Sequence, residues 1–126
     1  MSHFTTIKAK IYDKGTLIDV LREMGYKILD NNILHGYNGE KFNVAFQIEL
    51  DSYNIGFRKV NDCYEIVADW YGVRGVNPKD FTRDLTQRYA LKTITDELQR
   101  GRLRRYRIVS KQTDENNTIK LVLRGS

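Results

Sequence analysis

The sequence predicts an α+β fold: a single antiparallel sheet with two helices packed on one face. Three observations lead there. Strand-length segments cluster and are punctuated by turn residues, only two stretches carry helical periodicity, and no repeating strand–helix–strand pattern of a parallel sheet runs through the chain. At 126 residues the chain fits one domain, 1–126. A chain of this length buries roughly two thirds of its unfolded surface, enough for one core.

The elements follow in order. Ile7, Ala9 and Ile11 alternate with Lys8, Lys10 and Tyr12, the signature of a strand with one wet face. Leu17, Val20, Leu21 and Met24 then recur at helical spacing, with Thr16 and Asp19 as a capping pair and Gly25 as the stop. Residues 30–41, rich in Asn, Gly and Asp, read as a loop broken at most by a short strand at Ile33 and Leu34. Val44, Phe46, Ile48 and Leu50 alternate as a strand, and two more strands span roughly 54–60 and 63–71. Asn61-Asp62 between those two makes a tight turn, because both residue types tolerate positive φ. Asn77-Pro78 opens a long helix to about Gln99, Asn capping free N–H groups and Pro taking the first helical position. The chain closes on a hairpin of 104–111 and 118–124 around Asn116-Asn117.

Composition excludes several functions. Cys63 is the one cysteine, so neither an internal disulfide nor a thiolate metal cluster can form. The only histidines, His3 and His35, lie far apart in sequence with no nucleophile spaced for catalysis, and no glycine-rich phosphate loop is present. No cofactor and no metal is expected. The opening residues carry no basic segment followed by an apolar run, and no apolar stretch is long enough to span a bilayer. A cytoplasmic protein without membrane contact is the expectation. The formal charge of +5 leaves nucleic acid open as a partner.

Four segments together carry a family resemblance: Met1 to Lys8, Gly56 through Gly72 with its Tyr64-to-Tyr71 core, Gln87 to Lys92, and Ile119 to Arg124. In this order they resemble the hypothetical chloroplast reading frame thirty-five family of cyanobacteria and algal plastids. Cys63 departs from that pattern, where a polar residue or glycine would precede the tyrosine. The resemblance implies a cyanobacterial cytosol or plastid stroma, and it brings no catalytic residues.

Strand alternation places Tyr64, Ile66, Ala68 and Trp70 on one face and Glu65, Val67, Asp69 and Tyr71 on the other. With helices over the Ile66 face, Arg58, Glu65, Asp69 and Tyr71 form a candidate protein-binding surface on the opposite, open face. The plainer alternative is that Asp69 pairs with a neighbouring strand arginine such as Arg58. The run Arg100, Arg102, Arg104, Arg105 and Arg107, with Tyr106 to stack on a base, is the alternative site, for nucleic acid. Its plain reading is a solvated connection whose charge offsets a helix dipole. The leading expectation is a non-enzymatic binding domain with a protein partner. RNA binding is second and a small enzyme with an unrecognised site third.

Overall fold

The computed structural model describes residues 3–99 in full and the backbone of 106–113 and 119–125. The chain divides into two compact units, Met1–Thr86 and Gln87–Ser126.

The first unit contains β1 (Thr5–Lys8), α1 (Lys14–Glu23), β2 (Lys27–Leu29), β3 (Ile33–His35), β4 (Lys41–Asn43), β5 (Phe46–Glu49), β6 (Ile55–Val60), β7 (Cys63–Ala68) and the first turns of α2 (Pro78–Gln99). Five strands form an antiparallel sheet in the order β1-β7-β6-β5-β2. The α+β class and the antiparallel pairing are as expected, while the strands divide among three sheets. Among the described residues β3 pairs with β4, and β8 (Tyr106–Thr113) with β9 (Ile119–Gly125).

The register aligns Ile7, Ile66, Phe57 and Phe46 across four neighbouring strands. Phe46 and Phe57 stack with centroids 5.0 Å apart. Both helices lie on this face. α1 buries Leu17, Val20 and Leu21, and the Lys14 ammonium at its start sits over the Phe46 ring. α2 buries Phe81 and Leu85, and its first turns share a cavity with Ile7. Tyr26, just past α1, meets Phe81 edge-on at 5.8 Å.

The helix ends have local causes. The α1 cap is Asp13, earlier than the expected Thr16–Asp19 pair. Its carboxylate accepts from the Thr16 amide at 2.8 Å and from the Thr16 hydroxyl at 2.7 Å. Asp13 can accept from N3, whereas Thr16 is already inside the helix. Gly25 adopts φ +95°, its N–H donates to the Arg22 carbonyl and that of Tyr26 to the Leu21 carbonyl. That pair of bonds is a Schellman stop. Asn77 caps α2 as expected, accepting from the Lys79 and Asp80 amides at 2.9 and 3.1 Å.

The opposite face of the sheet is not open, contrary to the expectation. The β3–β4 hairpin covers it: Leu34, Val44 and Val67 form a buried cluster against which Phe4 and Phe42 pack. Gly56 makes the close approach possible, since a Cβ there would stand 2.6 Å from a Val44 methyl. A buried amide network holds the approach to the hairpin. The Gln47 amide donates to the Asn31 and Ile33 carbonyls at 2.9 and 3.0 Å, and Asn54 donates to the Gln47 carbonyl oxygen at 2.9 Å. Few apolar residues punctuate 30–41, so the segment reads as loop, yet Leu34 is fully buried.

In the second unit, β8 and β9 pair antiparallel with an irregularity between Ile108 and Ser110. The expected closing hairpin is therefore present, displaced by one or two residues.

Candidate functional site

The four residues expected on a shared open surface part company. Arg58 and Glu65 are register partners on β6 and β7, and the guanidinium donates to the carboxylate at 2.5 Å. Phe42 of the hairpin lies over the same guanidinium, 4.9 Å from its ring centroid. Glu65 is buried and Arg58 half-buried. The pair therefore sits beside the covering hairpin, and the arginine that was a candidate partner for Asp69 is engaged by Glu65.

Asp69 and Tyr71 belong to a different place, where three segments converge. β7 ends in a turn, with the Gly72 N–H donating to the Asp69 carbonyl at 3.0 Å. Asp69 is 1% exposed, and its Oδ2 accepts from the backbone N–H of Tyr37 at 2.9 Å. Tyr37 opens a 3-10 turn, Tyr37–Gly39, joining β3 to β4. Asn38 and Gly39 in that turn both take positive φ, which their residue types accommodate. The buried carboxylate thus pins the hairpin tip to the end of β7.

The N-terminal segment completes the arrangement. The Phe4 ring rests on Gly36, where a Cβ would stand 2.6 Å from Phe4 Cζ. His3 is set beside it, its backbone N–H donating to Glu40 Oε2 at 3.0 Å. The imidazole meets Tyr37 edge-on at 5.1 Å and 83°, and Tyr71 at 6.0 Å and 75°. Tyr37 is 57% exposed and Tyr71 is 93% exposed. The result is a corner of three exposed rings, with Glu40 at its edge and a buried Asp69 holding its parts together.

Two features of its electrostatics stand out. Among the described residues, neither Asp69 nor Glu40 makes an ion pair. Asp69 Oδ1 is shielded from water with no hydrogen-bond partner. A buried acceptor left unsatisfied is rare enough in native proteins to require an explanation.

Other expectations fall elsewhere. His35 is exposed on β3, with Lys41 as its register partner. Arg100, Arg102, Arg104 and Arg105 lie outside the described residues. Tyr106 and Arg107 are the first positions of β8, where Tyr106 pairs with Gly125 and Arg107 with Arg124. Cys63 is half-buried at the start of β7 and lines a cavity of about 350 Å³ with Lys8, Lys10 and Asn61. Among the described residues, no group of three or more His, Cys, Asp or Glu could hold a metal ion. No helix among them is long and apolar enough to cross a membrane.

Sequence reasoning singles out neither Tyr37 nor Glu40, and it gives His3 no role beyond a histidine without a nucleophile spaced for catalysis. The available signal was Asn38-Gly39 between two short apolar stretches, a strong hairpin-turn dipeptide.

Fold and corner together define an α+β domain with three exposed aromatic rings beside Glu40 at one hairpin tip. The chain belongs to the DUF1257 family, a protein of unknown function, whose profile it matches over residues 20–122. No curated protein and no solved structure matches it.

Proposed function

We propose that the protein is a non-enzymatic binding module and that its partner is another protein, engaged at the His3–Tyr37–Tyr71 corner. The observation that carries this reading is the exposure of Tyr71, at 93%, on a turn fixed by backbone hydrogen bonds. A tyrosine ring left in water on a preorganised turn, beside a second exposed tyrosine, is the composition that interfaces favour. Preorganisation lowers the ordering cost of association. In this reading Asp69 positions the surface and Arg58 and Glu65 support the hairpin behind it. The sequence resemblance supports a cyanobacterial or plastid origin, and with it a cytosolic or stromal location.

A second reading, nucleic-acid binding, has its own observation. The β8–β9 register sets Arg107 directly opposite Arg124. Like charges facing across a strand pair destabilise it unless an anion offsets them. Two arginines at paired positions are suited to a phosphate group.

The test is capture from the native host with tagged wild-type, Tyr71→Ala and Tyr12→Ala proteins, with and without nuclease. The expected outcome is a defined protein partner that survives nuclease, is kept by Tyr12→Ala and is lost with Tyr71→Ala. Tyr12 is an apt control because it too is exposed, at 56%. Partners that vanish with nuclease and ignore Tyr71→Ala would put the nucleic-acid reading first.

A further inference from the structure

The corner at the hairpin tip has a chemistry more specific than a general protein contact. Its three rings adjoin: Tyr37 and Tyr71 both stand nearly perpendicular to the imidazole of His3, at 83° and 75°. Aromatic faces carry negative potential and attract cations, and Tyr71 at 93% and Tyr37 at 57% exposure leave ring surface open to one. Two carboxylates, Asp69 and Glu40, stand at the same corner. Among the described residues neither is balanced by an ion pair. Asp69 is 1% exposed and its Oδ1 lacks any hydrogen bond. A carboxylate held in a low-dielectric setting projects its field further than one in water.

We propose that the corner receives an arginine side chain of the partner protein, its guanidinium stacked on the tyrosine faces and attracted by the Asp69 and Glu40 carboxylates. This rests on the protein-binding reading above and assigns that partner its anchoring chemistry. Arginine fits better than lysine because its planar guanidinium stacks on rings, is weakly hydrated, and can donate to a carboxylate while stacked. Tyr71 supplies the outermost wall. Asp69 is a positioning residue as well as a charge, since its other oxygen holds the Tyr37 backbone.

The experiment is a two-dimensional amide NMR titration of the full chain with three blocked tripeptides, Gly-Arg-Gly, Gly-Lys-Gly and Gly-citrulline-Gly. Citrulline keeps the shape of arginine and removes its charge. The expected result is a saturable shift of the Tyr37, Glu40, Tyr71 and Gly72 amides with the arginine peptide. The lysine peptide should bind more weakly and citrulline should leave those amides in place. Tyr71→Ala should weaken the arginine peptide about threefold or more, the scale of one cation–π contact. Glu40→Gln should weaken it in the same direction, while both variants keep the wild-type amide pattern elsewhere. Equal response to arginine and citrulline, or no saturable shift at these amides, would overturn the proposal. The two readings separate cleanly. If the arginine peptide fails but Tyr71→Ala still abolishes partner capture, the protein-binding corner stands and the arginine assignment falls. If the peptide binds at the corner while capture ignores Tyr71→Ala, the partner engages elsewhere, and the protein-binding corner and the assignment of the partner's arginine to it both fall.

Discussion

Arg58 illustrates how a residue legible as a candidate contact can turn out to have a structural task. Its guanidinium is held between the Glu65 carboxylate at 2.5 Å and the Phe42 ring at 4.9 Å, so it joins the sheet to the hairpin that covers it. Glu65 is buried, and a buried carboxylate that loses its cation keeps the desolvation cost without the compensation. Arg58 is half-buried, so solvent screens part of the effect. Arg58→Ala is expected to lower stability by about 1–3 kcal/mol, measured by urea unfolding. Adding Glu65→Gln should recover part of that loss, because the orphaned charge is gone; a double variant as unstable as the sum of the two singles would mean the pair does not interact. The sequence identified both residues and the possibility of a cross-strand charge pair involving Arg58. Strand alternation fixes which face a side chain takes, but not which of two carboxylates on that face lies in register. Glu65 is the register partner of Arg58, whereas Asp69 lies four residues further on, beyond the end of β7.

At the scale of elements, what periodicity governs was readable and what packing governs was not. α1, the onset of α2 at Asn77-Pro78 and the β6–β7 turn at Asn61 all have local causes: spacing, caps, and one residue at φ 56°. The β3–β4 hairpin has no such periodic signature. Its strands are three residues each, and its stability comes from Leu34 and Phe42 meeting Val44, Val67 and Phe4 from elsewhere in the chain. Hence strand alternation alone leaves that sheet face open, whereas the hairpin covers it and parts Arg58 and Glu65 from Asp69 and Tyr71. Gly56 is where the hairpin's attachment is most exposed to test. A Cβ there would stand 2.6 Å from a Val44 methyl and 3.1 Å from a Leu34 methyl. Gly56→Ala is therefore expected to push the hairpin outward and cost about 1–3 kcal/mol, the usual range for overpacking. Amide exchange would register the change as faster exchange in β3 and β4, with β6–β7 protection reduced only by the global loss. Uniform acceleration everywhere, or none, would show that the hairpin does not depend on this contact.

For the first unit as a whole, two tyrosines tie stability to alkaline pH. Burial, then the charge of Asp84, raises the Tyr26 hydroxyl above its ordinary value of 10.0, and burial, then Asp13, does the same for Tyr64. Tyr26 lies where the end of α1 meets the start of α2, its ring edge-on to Phe81. Both groups favour the neutral phenol in the folded state, so between pH 10 and their folded values the native chain holds more protons than the unfolded one. Stability rises with pH only where the unfolded state binds more protons, and here the inequality is reversed. Their contribution is thus complete below pH 10 and is lost as pH climbs through the raised values. Lysines also titrate in this range, so the wild-type curve alone does not isolate the tyrosines. Tyr26→Phe does, because it keeps the ring against Phe81 and removes the ionisation. The expected outcome is a shallower decline of unfolding free energy above pH 10 than in the wild type, with Asp84→Asn giving a smaller change in the same direction because its charge is the lesser cause. Parallel wild-type and Tyr26→Phe curves throughout that window would mean that the phenol ionises as freely in the folded chain as in the unfolded one, and that the seam between the two helices excludes less water than its packing implies.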